Sequence, residues 1–129
     1  MTTNICPCNS DKPFKSCCEP LLLRQIVAKT PAQLMRSRYS AYALGGHGDY
    51  LLETWLPSAA VGLSSVSLSV RSIDWLGLNI VSKSQQGESG FVEFEAVYLD
   101  ESGKSAVHHE KSVFSRINER WFYVGEQAD

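Results

Sequence analysis

Four cysteines stand within the first 18 residues of a 129-residue chain, and the remainder has none. They read Cys6-Pro7-Cys8, eight further residues, then Cys17-Cys18. Two close pairs joined by a small loop let so short a segment wrap one ion, and Zn²⁺ accepts four thiolates in a closed tetrahedral structural site. The segment buries too little apolar surface to fold alone, so bound metal would supply its folding free energy. Disulfides are the rival. A bridge from Cys6 to Cys8, or from Cys17 to Cys18, closes a very small strained ring, whereas the two crossed pairings stay geometrically open. The expected compartment weighs against them. The first residues carry no basic n-region, Leu21-Leu22-Leu23 is too short for a signal peptide, and a cytoplasmic chain keeps its thiols reduced. The expectation is a cytoplasmic protein with zinc on Cys6, Cys8, Cys17 and Cys18, redox-active thiols being the alternative.

The run from Cys6 to Cys18, with Asn9-Ser10-Asp11-Lys12-Pro13-Phe14-Lys15-Ser16 between the pairs, resembles the SEC-C motif, the zinc module at the C-terminus of the SecA translocation ATPase. That pattern usually has glycine where Asn9 and Asp11 stand. Asn and Asp tolerate left-handed backbone better than other residues with a side chain. The last ligand, His in some relatives, is Cys18 here. The resemblance implies docking to protein partners or ribosomes, with Lys12, Phe14 and Lys15 at the matching basic and aromatic positions. The plainer reading is a solvated loop with Phe14 covering the metal site.

The length leaves room for one domain of about 100 residues behind the metal segment, hence a module over residues 1–20 and a domain over 21–129. An apolar content of 43% and a charged content of 20% describe an ordinary globule. No stretch approaches the roughly 20 apolar residues of a membrane span. The net charge of −2 is uneven: residues 1–46 carry +4 and residues 47–129 carry −6. An acidic partner would therefore meet the cysteine end first. Nucleic acid is compatible with that charge but not required by it, since no groove-reading helix or aromatic RNA-binding strand is legible.

Leu21 to Lys29 reads as a short helical stretch. Thr30-Pro31-Ala32-Gln33 is a helix start, with Thr30 as N-cap, Pro31 in the first turn and Gln33 completing a capping box. That helix is expected to run to about Leu44 and stop at Gly45-Gly46. Asp49 is read as the N-cap of a helix from Tyr50 to Trp55. Ser58 to Ser69 is read as a linker holding a loop or an edge strand. From Arg71 the apolar period becomes two, which predicts strands over 71–84, 91–100, 104–117 and 120–125, parted by Gly-containing and Asn-Glu turns. Val92, Phe94, Ala96 and Tyr98 share one strand face. Helices followed by an antiparallel meander predict an α+β fold with helices on one face of a curved sheet. Trp121-Phe122-Tyr123-Val124 is apolar on both faces, so the second face needs a cover, a homodimer partner being one choice.

Leu34-Met35-Arg36-Ser37-Arg38-Tyr39-Ser40-Ala41-Tyr42, Asp49-Tyr50-Leu51, Thr54-Trp55, Asp74-Trp75-Leu76-Gly77-Leu78, Gly90-Phe91-Val92-Glu93-Phe94, Glu110-Lys111-Ser112-Val113-Phe114 and Trp121-Phe122-Tyr123 together resemble the bacterial YchJ family. That resemblance spans nearly the whole chain. It implies a nuclear-transport-factor-2-like cone of helices on a strongly bent sheet, and it brings no assigned biochemical role. Longer members carry a second C-terminal cysteine module; the resemblance implies one module here.

Cone folds often hold a pocket between sheet and helices. Leu34, Arg38 and Tyr42 form an i, i+4 row that should face the sheet. A guanidinium there needs a carboxylate, and Glu110, sharing a strand face with Ser112 and Phe114, is the chosen partner. A buried Arg38–Glu110 pair fixing helix to sheet is the first reading. The second is an enzyme pocket in which Arg38 and Tyr42 hold a small anion and Glu110, raised by burial, acts as general base. His108 and His109 point to opposite faces, so one should be exposed and one packed; His47, in Gly45-Gly46-His47-Gly48, should be solvated. There is no phosphate loop and no nucleophile elbow. The reading chosen is an adaptor docking through the zinc module, whose cone should stay folded after chelation, and not an enzyme; the alternatives are a small-molecule enzyme and a nucleic-acid binder with steep salt dependence.

Overall fold

The computed structural model describes residues 5–71 and 73–127. Helices α1 (Glu19–Leu22), α2 (Pro31–Leu44), α3 (Gly48–Glu53) and α4 (Ser65–Leu68) precede strands β1 (Asp74–Gln86), β2 (Ser89–Leu99), β3 (Ser105–Ile117) and β4 (Arg120–Glu126). The strands form one antiparallel sheet in sequence order, the meander that the period-two pattern predicts. Register irregularities between Trp75 and Gly77, and between Ile80 and Ser82, bend β1. Leu78, Val92, Phe94, Ala96, Phe114 and Trp121 are buried on the concave side. The convex side mixes half-exposed Phe91 and Val107 with Glu93, His109 and Lys111.

Thr30 caps α2 as its sequence requires, its side chain accepting from Gln33 N at 3.1 Å. Gln33 closes the box one residue early: its Oε1 takes the N–H of Lys29 at 2.7 Å, not that of Thr30. Gly45, at φ 73°, ends the helix. Nine of its 14 residues are buried, including Ser37, Arg38 and Ser40, so α2 is enclosed nearly all round and has no solvated stripe. The metal segment covers one side, α3 a second and the sheet the third.

Three local expectations need correcting. The Leu21–Lys29 stretch is helical only over its first residues, α1 running Glu19–Leu22, and turns follow. Asp49 lies inside α3, whose N-cap is His47. His47 is half-buried there, and burial lowers its pKa, with Arg24 adding to the effect. The Ser58–Ser69 segment holds no edge strand, and its loop is confined to residues 60–64. It forms a 3₁₀ turn over Pro57–Ala59 and the helix α4, whose N-cap Ser64 accepts from Ser67 N. Serine supplies its own caps, a signal that composition alone reads as linker. No helix among the described residues is long and apolar enough to cross a membrane.

Helices α3 and α4 meet at Gly48, whose N–H donates to Ser69 Oγ at 2.9 Å. A Cβ on Gly48 would overlap the carbonyl oxygen of Ser65, which is backbone and cannot swing away. Gly48→Ala is therefore expected to destabilise by about 1–3 kcal/mol through overpacking, outweighing the gain of up to about 1 kcal/mol that alanine brings to a helix. Urea unfolding with an unchanged m-value is the measurement.

Candidate metal centre and ligand cavity

The Sγ atoms of Cys6, Cys8, Cys17 and Cys18 all lie within 4.8 Å of one another. Cys8 and Cys17 are 3.6 Å apart, Cys17 and Cys18 3.9 Å. A tetrahedron with metal–sulfur bonds of about 2.3 Å places its sulfurs about 3.8 Å apart, so the cage fits a single metal ion. All four cysteines are free thiols, which removes the crossed disulfides. The intervening loop folds through Asn9 (φ 63°) and Asp11 (φ 65°), both left-handed as the Gly-to-Asx replacement requires. Cys6 N donates to Lys12 O at 2.9 Å and Cys17 N to Phe14 O at 3.0 Å, closing the loop on itself.

Polar groups surround the sulfurs. Ser10 Oγ is 3.1 Å from Cys17 Sγ, and Ser40 Oγ is 3.6 Å from Cys6 Sγ. Arg36 Nη1 donates to Cys8 O at 2.7 Å and reaches its Sγ at 3.7 Å. Donors of this kind stabilise thiolates and orient them toward an ion. The Cys8 thiol is pulled far down by hydrogen bonds from Cys18, then Cys6, Ser10 and Arg36; Cys18, on the other side of the same contacts, is pushed up. Thiols this close share charge, and a cation is what lets all of them ionise together.

The cage is part of the main core. Cys6, Cys8 and Cys18 belong to one continuous cluster with Leu21, Leu22, Leu34, Met35, Tyr39 and Leu78. The cysteine cage and the cone therefore share their packing. Phe14 is half-buried against that core, whereas Lys12 and Lys15 are exposed on the outer loop.

The opposite face of α2 borders a cavity of about 420 Å³ between helix and sheet. Met35, Arg38, Tyr39 and Tyr42 line it from the helix, at the i, i+3, i+4 and i+7 spacing of one face. Trp75, Phe94, Ala96 and Tyr98 line it from β1 and β2, and His108, Glu110 and Tyr123 from β3 and β4. The three pocket residues expected from sequence thus share one cavity. Leu34, from the same row, is buried in the core instead.

Arg38 and Glu110 do not pair. Arg38 is 2% exposed, and its Nη1 donates to Leu51 O and Thr54 Oγ1, both at 2.7 Å. Its guanidinium carbon lies 4.7 Å from the ring centres of both Trp55 and Tyr123, rings that meet at 73°. The Trp55–Tyr123 corner is built by backbone: Leu56 N donates to Tyr123 O and Tyr123 N to Thr54 O, each at 2.8 Å. Glu110 Oε2 accepts from Ser112 Oγ at 2.5 Å and from Tyr123 OH at 2.8 Å. Tyr123 stands between the two charges, its face on one and its hydroxyl on the other. Burial lowers the Arg38 pKa, the nearby tyrosines and Glu110 offsetting only part of this. Burial likewise raises Tyr42, Arg38 opposing it, and raises Tyr123, with Glu110 adding to the rise.

His108 also lines the cavity, a place the sequence pattern does not assign to it. Its Nε2 lies 3.2 Å from Glu110 Oε1 on the cavity side, while His109 meets Glu93 at 2.6 Å on the convex side. The two do occupy opposite faces, but both are about half exposed, so neither is packed away. The i, i+2 spacing of His108 and Glu110 was legible, since residues two apart on a strand share a face.

Removing the metal is expected to lower the melting temperature of the whole domain in one cooperative transition, followed by calorimetry with and without chelator. A cone transition that stays in place while only a small early step disappears would show an independent module.

Comparison with known proteins finds relatives for both the cysteine segment and the cone. Residues 3–20 match the SEC-C motif, and residues 30–126 match the model described as YchJ, middle NTF2-like domain. A UPF0225 protein of Sodalis glossinidius is 40% identical over 124 residues, covering 92% of this chain and 80% of that protein. One from Serratia proteamaculans is 39% identical over 125 residues, covering 93% and 80%. Among solved structures, the solution structure of a SEC-C motif containing protein from Rhodopseudomonas palustris superposes with a TM-score of 0.86 at 37% identity, covering 96% of this chain and 98% of that one. A crystal structure of one from Psychrobacter arcticus gives 0.83 at 26%, covering 100% and 85%. With a cysteine cage packed on a nuclear-transport-factor-2-like cone and the family model matching 97 of its residues, this chain belongs to the YchJ family.

Proposed function

We propose that this protein binds a small organic anion in the cone cavity and uses one zinc ion as a structural member. The observation that carries the reading is the Arg38 guanidinium: buried, bordering the cavity, and in contact with no carboxylate among the described residues. A buried charge without a counter-ion is expensive, and an anionic ligand would offset that penalty. The walls are largely aromatic and apolar with few polar groups, the usual make-up of a small-molecule site. Zinc is favoured by four thiolate donors in a closed cage. Binding, not turnover, is what the geometry supports, because Ser112, Tyr123 and His108 already engage both oxygens of Glu110, the expected base.

Trp55 and Trp75 both line the cavity, so ligand entry should alter tryptophan fluorescence. A metabolite screen read this way, with metal analysis of the same preparation, is expected to give one zinc per chain and saturable hits that are predominantly anions. Saturable hits limited to cations would overturn the reading.

A second reading, docking to an acidic protein or ribosomal partner, is favoured by one observation. Lys12 and Lys15 remain exposed on the loop that closes the cage. Reversing both charges (Lys12→Glu with Lys15→Glu) is expected to abolish co-sedimentation with ribosomes at low salt while zinc content is unchanged. Undiminished co-sedimentation of the double variant would reject it; loss that also follows a steep salt slope would point to contact with the nucleic acid.

A further inference from the structure

We infer that the ligand of this cavity is a monocarboxylate with an apolar body, its carboxylate seated on the free edge of Arg38. The inference rests on the anion-binding reading above and narrows it by charge, geometry and lining.

Charge comes first. Among the described residues Arg38 is the only Lys or Arg lining the cavity; Glu110 lines it as well, with His108 held against it at 3.2 Å. One negative charge neutralises the guanidinium. A second, as on a phosphomonoester, would find no further Lys or Arg and would face Glu110, against which His108 is already held. The site is therefore matched to a single negative charge.

Geometry selects the group. Nη1 of Arg38 serves Leu51 O and Thr54 Oγ1, and the Tyr42 hydroxyl is the one further side-chain partner of the guanidinium among the described residues. Nε and Nη2, the fork edge suited to two parallel bonds with a planar carboxylate, remain. The rings of Trp55 and Tyr123 cover the group from two sides. Together with the two Nη1 bonds they fix its orientation, so little side-chain freedom is lost when a ligand arrives. Tyr42 lines the cavity beside Arg38, whose charge and side-chain hydrogen bond oppose the rise that burial gives its pKa; its hydroxyl can turn to donate to the same anion.

The lining selects the body. Met35, Trp75, Phe94 and Ala96 form an apolar wall, and the exposed Val70 and Ile73 stand at the rim. A polar ligand would desolvate against these surfaces without return, whereas an aromatic ring or short alkyl chain gains by burial.

The test uses the full zinc-loaded chain and matched probes: 2-naphthoate with 2-naphthamide, octanoate with octanamide, and 2-naphthyl phosphate, each titrated by calorimetry and tryptophan fluorescence. The acids are expected to bind at least about tenfold more tightly than their amides, as charged hydrogen bonds to a buried guanidinium imply, and 2-naphthoate more tightly than the phosphate. Arg38→Met should bring acid affinity down to that of the amide. If that variant does not fold, the Arg38 Nε–H resonance of the wild type serves instead, and it should shift with 2-naphthoate and not with the amide. Equal affinity for acid and amide, preference for the phosphate, or an unmoved Arg38 resonance overturns the inference while leaving an occupied cavity. Absence of binding by all five probes overturns it together with the cavity reading.

Discussion

The packing of four sulfurs against helix α2 is the constraint from which the rest of the architecture follows. The cysteine segment is held where it is because Cys6, Cys8 and Cys18, with Leu21 and Leu22 just after them, are buried in the same cluster as Leu34 and Met35. Ser40 and Arg36 on the helix reach the sulfur cage directly. A metal bound there would act as a core residue of the cone, contributing to folding free energy as a structural ion does, and would not merely cap a tail.

Helix α2 then serves two sites at once. Its Arg36 and Ser40 face the cage, while Met35, Arg38, Tyr39 and Tyr42 face the cavity. A third side is tied to α3 by Ser37 with Tyr50 at 2.6 Å and by Arg38 with Leu51. Every buried polar side chain of the helix has a partner, which is how an enclosed helix with three buried polar residues remains stable. The Thr54–Leu56 segment, hydrogen-bonded to β4 on both sides of Trp55, locks the aromatic corner around Arg38. The guanidinium is thus oriented by elements from three parts of the chain, a rigid arrangement suited to recognition.

Much of this was legible in the residues. The Thr30 cap, the Gly45 stop and the strand alternation are local physics, and each lies where its residues demand. The left-handed Asn9 and Asp11 were legible as well, because the cage loop needs those conformations and Asx tolerates them. What failed did so for identifiable reasons. Arg38 was matched to Glu110 because both face inward, but facing one cavity is not contact: Tyr123 lies between them, and backbone and aromatic groups took up the charge instead. Serine-rich composition reads as linker, whereas Ser64 acts by position, as a cap.

The sequence by itself determined the cysteine spacing of the cage, the order of helices and strands, and which faces turn inward, because each depends on residue identity at short spacing. Only the tertiary structure decided that the cysteine cage is part of the core, that a cavity stays open between α2 and the sheet, and that Arg38 meets it without a carboxylate. Those outcomes depend on how far apart the sheet's bends hold the packed elements, a distance set by all the contacts together and by no single stretch of residues.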